Sequence, residues 1–502
     1  MKKIIPTKLA VHRLFPEVLS RIFRALVNID PPTKKENGTH LGWIHVSHVS
    51  QPWRRAAIGD AMLWTTVSAE FAAPLVKEMI RRSKSMPINV ICEGEEILSI
   101  PFIAGFLAPD QLVRLKTLRL CPNKALSEAF IGLLDKPTPL LEELALGSQH
   151  DRDCRHLPAA LFASTLPRLR KLTLQGWMPS SWDALYLRNL TSLSIHAPYV
   201  SKLHSLPATK LLEILSRCPK LETIELRRVV EPLDAAGLLS LSSNNQIVDL
   251  PCLAQVVLEW TWQAITVNSL FDHLQIPPTC KIHMKFDHCL WSTSSLHGLL
   301  ALFSGNTSTW NPLRELSLDA SPTGVVLVAN DTSNEKCLAL PDDAKYTIEW
   351  TGYMLRGRGL LLAICEELCL ADVAVLKISA DTRSFTKDKD VLKRFLSGFR
   401  AVKTLVLSKE EAVDCVVSVL AEAQSGSVVA ADHIGREAVA AEVQNHTLLL
   451  PSLQALVLEA VSLDQYGEGE EMVGDKVARM LQIRRSLGAK VRCELHALPF
   501  EL

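Results

Sequence analysis

The chain has no excess of charge of either sign. Lysine plus arginine and aspartate plus glutamate each number 54 among 502 residues, so the formal charge is zero. Without a polybasic run or a basic stripe, binding to nucleic acid through phosphate neutralisation is not expected. No apolar run reaches the roughly 18–20 residues that span a bilayer, so no membrane partner is expected either. Lys2 and Lys3 stand near the start, and few apolar residues precede Lys8. A signal peptide would need an apolar core of about 7–15 residues there. Triplets such as Asn189-Leu190-Thr191 then read as chance glycosylation matches. The 12 cysteines are scattered beside apolar residues, as at Cys92, Cys252, Cys365 and Cys369. That usage fits reduced thiols in the cytoplasm or nucleus, not a disulfide framework.

Chemistry-bearing motifs are missing as well. There is no Gly-x-Ser-x-Gly elbow, no Gly-x-x-x-x-Gly-Lys phosphate loop and no His-Glu-x-x-His. Gly357-Arg358-Gly359 begins a dinucleotide-like pattern and lacks its third glycine. Cys280 and His283, followed by His288 and Cys289, have a metal-like spacing. Lys281 to Phe286 alternates like a strand, however, and neighbouring strand residues point to opposite faces. Paired acids such as Glu142-Glu143 and Glu366-Glu367 read as solvated faces. The expectation is a chain that is not an enzyme, with no catalytic residue, cofactor or metal.

Apolar residues make up 48% of the chain, enough for a large core. The length suits two to four domains or one extended repeat domain. From residue 112 a six-residue figure recurs: Leu115-Lys116-Thr117-Leu118-Arg119-Leu120, then copies beginning at Leu141, Leu169, Leu190, Leu221, Leu253 and Leu313. After a gap, further copies begin at Val373, Val402 and Leu453. Most early copies lie about 20–32 residues apart, close to the period of leucine-rich repeats. Prolines at 139, 167, 219, 251 and 451 sit just before the figure, where they would end a helix and admit a strand. Segments between copies carry helical stripes, such as Leu211 to Leu215. One such unit cannot cover its own apolar face, but a stack can. An irregular α/β solenoid is predicted over 111–502, with parallel sheet on the concave face and helices on the convex face. The leucine-rich asparagine occurs in register once, at Asn123. An ordinary α/β domain with leucine-rich strands is the alternative.

Two polar stretches break the rhythm, 320–345 and 424–447, and read as loop insertions on one rim. A final helix over Glu470–Leu487, a Gly488 stop and a strand at Val491–Leu495 close the pattern. Before it, residues 67–110 read as a connector holding a first helix–strand unit, with a helix at Pro74–Ser83 and a strand at Ile88–Cys92.

Residues 11–66 differ in kind. Pro16 suits a first helical turn. Val18, Leu19, Ile22, Phe23 and Leu26 then fall at helical spacing, predicted as one stripe, and Val46, Val49, Trp53 and Ala57 form a second. Pro52 predicts a kink or a helix start at that point. The stretch Leu14-Phe15-Pro16-Glu17-Val18-Leu19-Ser20-Arg21-Ile22-Phe23, with Val46, Val49, Trp53, Arg54, Ala57, Leu63 and Trp64, resembles an F-box. With Asp30-Pro31-Pro32, a polar insert and Leu41-Gly42-Trp43-Ile44, it is similar to the F-box proteins abundant in mushroom-forming fungi. It departs from their pattern at Phe15, between Leu14 and Pro16, and at Ser50-Gln51-Pro52 before Trp53.

The resemblance implies an all-α F-box feeding the solenoid, in a substrate receptor of a Skp–cullin–F-box ubiquitin ligase. The F-box would bind the Skp adaptor, and through it a cullin, with Leu14, Pro16, Val18, Leu19, Ile22, Val46, Val49 and Trp53. Trp53 and Trp64 are the residues most expected to turn inward. The solenoid would hold an unidentified client protein on strand positions facing away from the leucines. Those positions include Arg119, Thr173, Gln175, His196, Glu225, Arg227, Glu259 and Asp319. Two rivals stay open. One is a leucine-rich scaffold whose F-box-like helices are structural only. The other is an enzyme, which would show a deep polar pocket of convergent ionisable groups.

Overall fold

Every copy of the six-residue figure buries its three apolar positions, from Leu115, Leu118 and Leu120 to Leu453, Leu456 and Leu458. The last two of the three alternate along a strand and so share one face of a sheet. This burial sets the architecture. The computed structural model describes residues 14–35, 38–68, 71–92, 108–121, 134–147, 155–158, 166–180, 187–197, 206–231, 247–260, 264–287, 312–321, 324–331, 344–351, 357–380, 388–433, 448–461 and 471–496, with a few isolated positions. The chain forms two compact units, Met1–Leu206 with Glu213–Glu225, and Pro207–Leu212 with Leu226–Leu502.

The first unit begins with helix α1 (Pro16–Ile29), a small antiparallel ribbon of β1 (Thr33–Lys35) and β2 (Gly38–His40), a 3-10 helix (Gly42–His48), helix α2 (Gln51–Gly59) and a second 3-10 turn (Ala61–Trp64). Strand β3 (Thr66–Ser68), helix α3 (Ala73–Arg82) and strands β4 (Ile88–Cys92), β5 (Leu115–Leu120) and β6 (Glu143–Leu146) follow. Next come β7 (Arg155–Leu157), β8 (Lys171–Gln175), β9 (Trp177–Pro179), β10 (Ser192–His196) and β11 (Thr223–Arg227), which straddles the boundary between the units. Strands β3, β4, β5, β6, β8 and β10 pair in that order, all parallel. The short β7 and β9 form a parallel pair of their own.

The second unit holds β12 (Val248–Asp249), β13 (Gln255–Trp260), helix α4 (Ala264–Phe271), β14 (Leu274–Gln275), β15 (Lys281–Asp287), β16 (Glu315–Ser321), β17 (Gly324–Asn330) and β18 (Tyr346–Thr351). Helix α5 (Gly357–Glu367), β19 (Val375–Ala380), helix α6 (Lys389–Ser397), β20 (Thr404–Ser408), helix α7 (Glu410–His433), β21 (Ala455–Glu459), helix α8 (Val473–Ser486) and β22 (Arg492–His496) complete it. Its sheet runs β13-β15-β18-β17-β16-β19-β20-β21-β22. All neighbours are parallel except the two that flank β17. Each unit is thus mixed α/β on a parallel-dominated sheet, and the described strands close no barrel.

Two expectations are corrected. The 320–345 stretch does not open as a loop, because 324–330 is the antiparallel strand β17 inside the sheet. Its run Val325-Val326-Leu327-Val328-Ala329 is apolar on both faces, and Val325, Leu327, Val328 and Ala329 are buried. The 424–447 stretch begins as helix, since α7 continues to His433. Residues 332–343 and 434–447 lie outside the described residues. The closing helix starts three residues late, at Val473, and Gly488 ends it with φ +85°. The Pro74–Ser83 helix and the Ile88–Cys92 strand form where expected, as α3 and β4.

Polar groups hold the joints. Arg114 is buried and donates to Ser83 Oγ (2.7 Å), Met86 O (3.2 Å) and Lys84 O, tying the turn after α3 to β5. Burial pushes its pKa down. In the second unit Arg484 is fully buried and donates to the carbonyls of Leu449 and Leu450, just ahead of β21. Burial lowers its pKa to about 10. Lys476 of α8 pairs with Asp414 of α7 in the same interior.

Candidate functional site

The N-terminal helices carry several exposed apolar side chains that follow a helical pattern. Helix α1 begins on Pro16, where the missing N–H would be unpaired anyway, and Glu17 in its first turn favours the positive helix end. The predicted single stripe divides in two. Leu19 (2% exposed) and Phe23 face inward. Phe15 (73%), Val18 (40%), Ile22 (41%) and Ile29 (76%) face outward. With exposed Ala25 they recur at alternating steps of three and four, which keeps them on one helix face.

The rest of the segment builds a core under α1. Gly42 has φ +51°, and a Cβ there would lie 2.4 Å from Asp30 O, so only glycine admits this turn. Trp43 N–H then donates to Asp30 O (2.8 Å). Ser50 Oγ caps α2 by accepting from Trp53 N (3.4 Å), with Pro52 in the first turn, so the proline marks a helix start. Trp53 packs against Phe23 with ring centres 5.2 Å apart and a tilt of 55°. Trp43 meets Trp64 edge-on at 5.0 Å, and Trp64 Nε1 donates to Ala57 O (2.9 Å). Arg24 and Asp60 close the bundle with a two-pronged ion pair at 2.8 and 3.1 Å. Trp64 also receives the Arg82 guanidinium of α3 at 4.3 Å from its ring centre, so these helices and α3 share one core.

Of the eight residues expected at an adaptor, Pro16, Val18, Ile22 and Val49 (57% exposed) are at the surface, and Leu14 and Trp53 are half-buried. Leu19 and Val46 are corrected: both are buried and pack the helical core instead. Phe15, Ala25 and Ile29 were missed. Their spacing was legible, but it overlaps the inner stripe of Leu19, Phe23 and Leu26.

All eight expected client positions lie on strands or strand ends, facing away from the leucines. In the first unit, register places Thr173 between Ala145 and Ser194, and Gln175 beside His196. Arg119 donates to Glu143 Oε1 at 2.7–2.8 Å. Glu225 accepts from Ser194 Oγ (2.9 Å) and lies 3.1 Å from His196 Nε2. That serine, histidine and glutamate are not a nucleophilic relay. The same Nε2 meets both Ser194 Oγ (3.1 Å) and the carboxylate, whereas a relay needs hydroxyl and acid on opposite ring nitrogens. In the second unit Arg227 and Arg228 each approach Glu259 at 3.4 Å, and Asp319 pairs with Lys409 at 3.5 Å.

A concavity of about 410 Å³ opens on the first unit's strand face, lined by Lys116, Arg119, Glu142, Glu143, Arg170 and Lys171. Among the described residues no group of three or more histidine, cysteine, aspartate or glutamate side chains could hold a metal. Cys280 is buried, and desolvation pushes its thiol up to about 12, which disfavours the ligating thiolate. His288 and Cys289 lie outside the described residues. None of the described helices is long and apolar enough to cross a membrane. Comparison of the sequence with protein-family models and with curated proteins finds no match.

Proposed function

We propose that this chain is a substrate receptor of a Skp–cullin–F-box ubiquitin ligase, with residues 14–64 as its F-box and the strand-rich remainder as an irregular leucine-rich-repeat solenoid. The observation that carries the reading is the exposed outer stripe of α1. Phe15, Val18, Ile22 and Ile29 are apolar, exposed and aligned, on a helix whose other face already fills a core. A second apolar face on a short helix suits a helical partner. Complete burial of the leucine figure and the parallel strands support the solenoid part.

In this role the protein breaks no bond. It holds a client near the ligase's charged ubiquitin carrier, and the gain is effective concentration across a semi-rigid spacer. A cytoplasmic or nuclear site follows, in keeping with the free thiols of Cys218, Cys280 and Cys365.

The test is capture of a purified Skp adaptor by the full chain, beside Val18→Asp/Ile22→Asp and Leu19→Ala. Each outer residue is about 40% exposed, so covering it contributes about 0.6–1.2 kcal/mol. An aspartate there adds an unpaired charge at the contact, which costs several kcal/mol more. The double variant is expected to fold normally and bind about 100-fold or more weakly. Leu19→Ala is expected to lose about 2–5 kcal/mol of stability instead. A folded wild type that captures no adaptor would leave residues 14–64 a structural cap on a leucine-rich scaffold.

A further inference from the structure

The geometry points to a specific client chemistry: the first unit's strand-face groove takes an extended, acidic peptide segment. The inference rests on the receptor reading above.

The groove is built by register. Thr117 of β5, Glu143 of β6 and Lys171 of β8 stand in one row across three parallel strands. Arg119 stands two residues further along β5, and Lys116, Glu142 and Arg170 flank the strand starts. Four cations and two carboxylates therefore line one concavity of about 410 Å³. The carboxylates are committed. Glu143 accepts from Arg119 (2.7 Å), and Glu142 faces Lys116 at 3.5 Å. Arg170 and Lys171 are exposed and have no side-chain partner among the described residues. Two positive charges are thus left over at the β8 side. Toward β3 and β4 the lining is uncharged, with the hydrogen-bonding Thr66, Asn89 and Thr117 and the apolar Ile91.

This asymmetry selects a ligand. A basic segment would meet Arg170 and Lys171 and find both glutamates occupied. An apolar one would strip water from six charges without return. An acidic segment pairs with the cations of Arg170 and Lys171 through charge-assisted hydrogen bonds. From Thr66 on β3 to Lys171 on β8 is four strand spacings, about 19 Å. That is the reach of about six extended residues. Thr66 lies two residues after Trp64, so the segment would be held beside the end of the chain that meets the adaptor.

The experiment uses the full chain and a fluorescein-labelled peptide of about six glutamates, read by anisotropy. A glycine–serine peptide, a phosphoserine peptide and single-stranded oligothymidylate are the comparison probes. Variants are Arg170→Glu/Lys171→Glu and, outside the groove on α3, Lys77→Glu. The expected result is glutamate-peptide binding that weakens with salt and falls at least about tenfold in the double variant, but not in Lys77→Glu. Tighter binding of the phosphoserine peptide, equally lost in the double variant, supports the same site with phosphate as the source of charge. No binding, equal binding of the neutral peptide, indifference to charge reversal, or preference for oligothymidylate would each overturn the proposal. Adaptor capture on the same preparations separates this from the receptor reading. The groove variant should still capture adaptor, and Val18→Asp/Ile22→Asp should still bind peptide.

Discussion

Trp64 is where the N-terminal helices meet α3, and its replacement should loosen that joint. Its ring is buried, edge-on to Trp43 at 5.0 Å and under the Arg82 guanidinium at 4.3 Å. Its Nε1 satisfies the Ala57 carbonyl at 2.9 Å. Trp64→Phe keeps most of the ring and removes that hydrogen bond, so it should cost about 1–2 kcal/mol. Trp64→Ala removes the ring as well. A buried tryptophan-to-alanine change costs about 3–5 kcal/mol, and loss of the cation over the ring adds about 0.5–1 kcal/mol. Urea unfolding followed by circular dichroism gives the total, and hydrogen exchange localises it. In Trp64→Ala, the amides of α1 and α2 should exchange faster while those of β20 and β21, in the other unit, keep their protection. A loss below about 1 kcal/mol, with protection of α1 and α2 unchanged, would refute a shared core at Trp64.

Other consequences follow from buried polar groups. Asp414→Ala would remove the carboxylate from a buried ion pair with Lys476 and should cost about 3–5 kcal/mol, whereas Asp414→Leu/Lys476→Met should recover most of it; equal losses in thermal unfolding would contradict this. Cys218 and Cys280 are buried and Cys252 and Cys369 exposed, so alkylation at pH 8 mapped by mass spectrometry should label the second pair natively and the first only in denaturant. Burial raises the Cys218 and Cys280 thiols from 9.0 to about 12. Below pH 9 they are protonated in both folded and unfolded chains, and as pH climbs from 9 toward 12 only the unfolded thiols ionise, so stability should fall over that window. Flat stability there would show these thiols to be solvated.

The leucine figure was legible because strand burial is local. Two residues apart means the same face, and a leucine at each such position declares which face is core. The sheet order was less so. Strand β17 hides between Ser321-Pro322-Thr323 and Asp331-Thr332-Ser333-Asn334, and polar flanks drew its apolar run into a supposed loop. Its two-sided burial removes the alternation that marks a strand, and its antiparallel insertion places β15 against β18 and β16 against β19. On α1 the difficulty was superposition. Two stripes on adjacent faces, one residue out of step, read as one broad stripe, so buried Leu19 and exposed Val18 looked equivalent until the core under the helix was known. The groove could not be read at all. Arg119 and Glu143 are 24 residues apart, and only parallel register makes them neighbours.

The most direct measurement is hydrogen–deuterium exchange of the full chain with and without purified Skp adaptor. The expected result is a stable complex with new protection concentrated in Pro16–Ile29 and around Val49, the strand-face segments being unchanged. A folded chain that forms no complex, or protection confined to the strand face, would contradict the assignment of the outer α1 stripe as the adaptor surface.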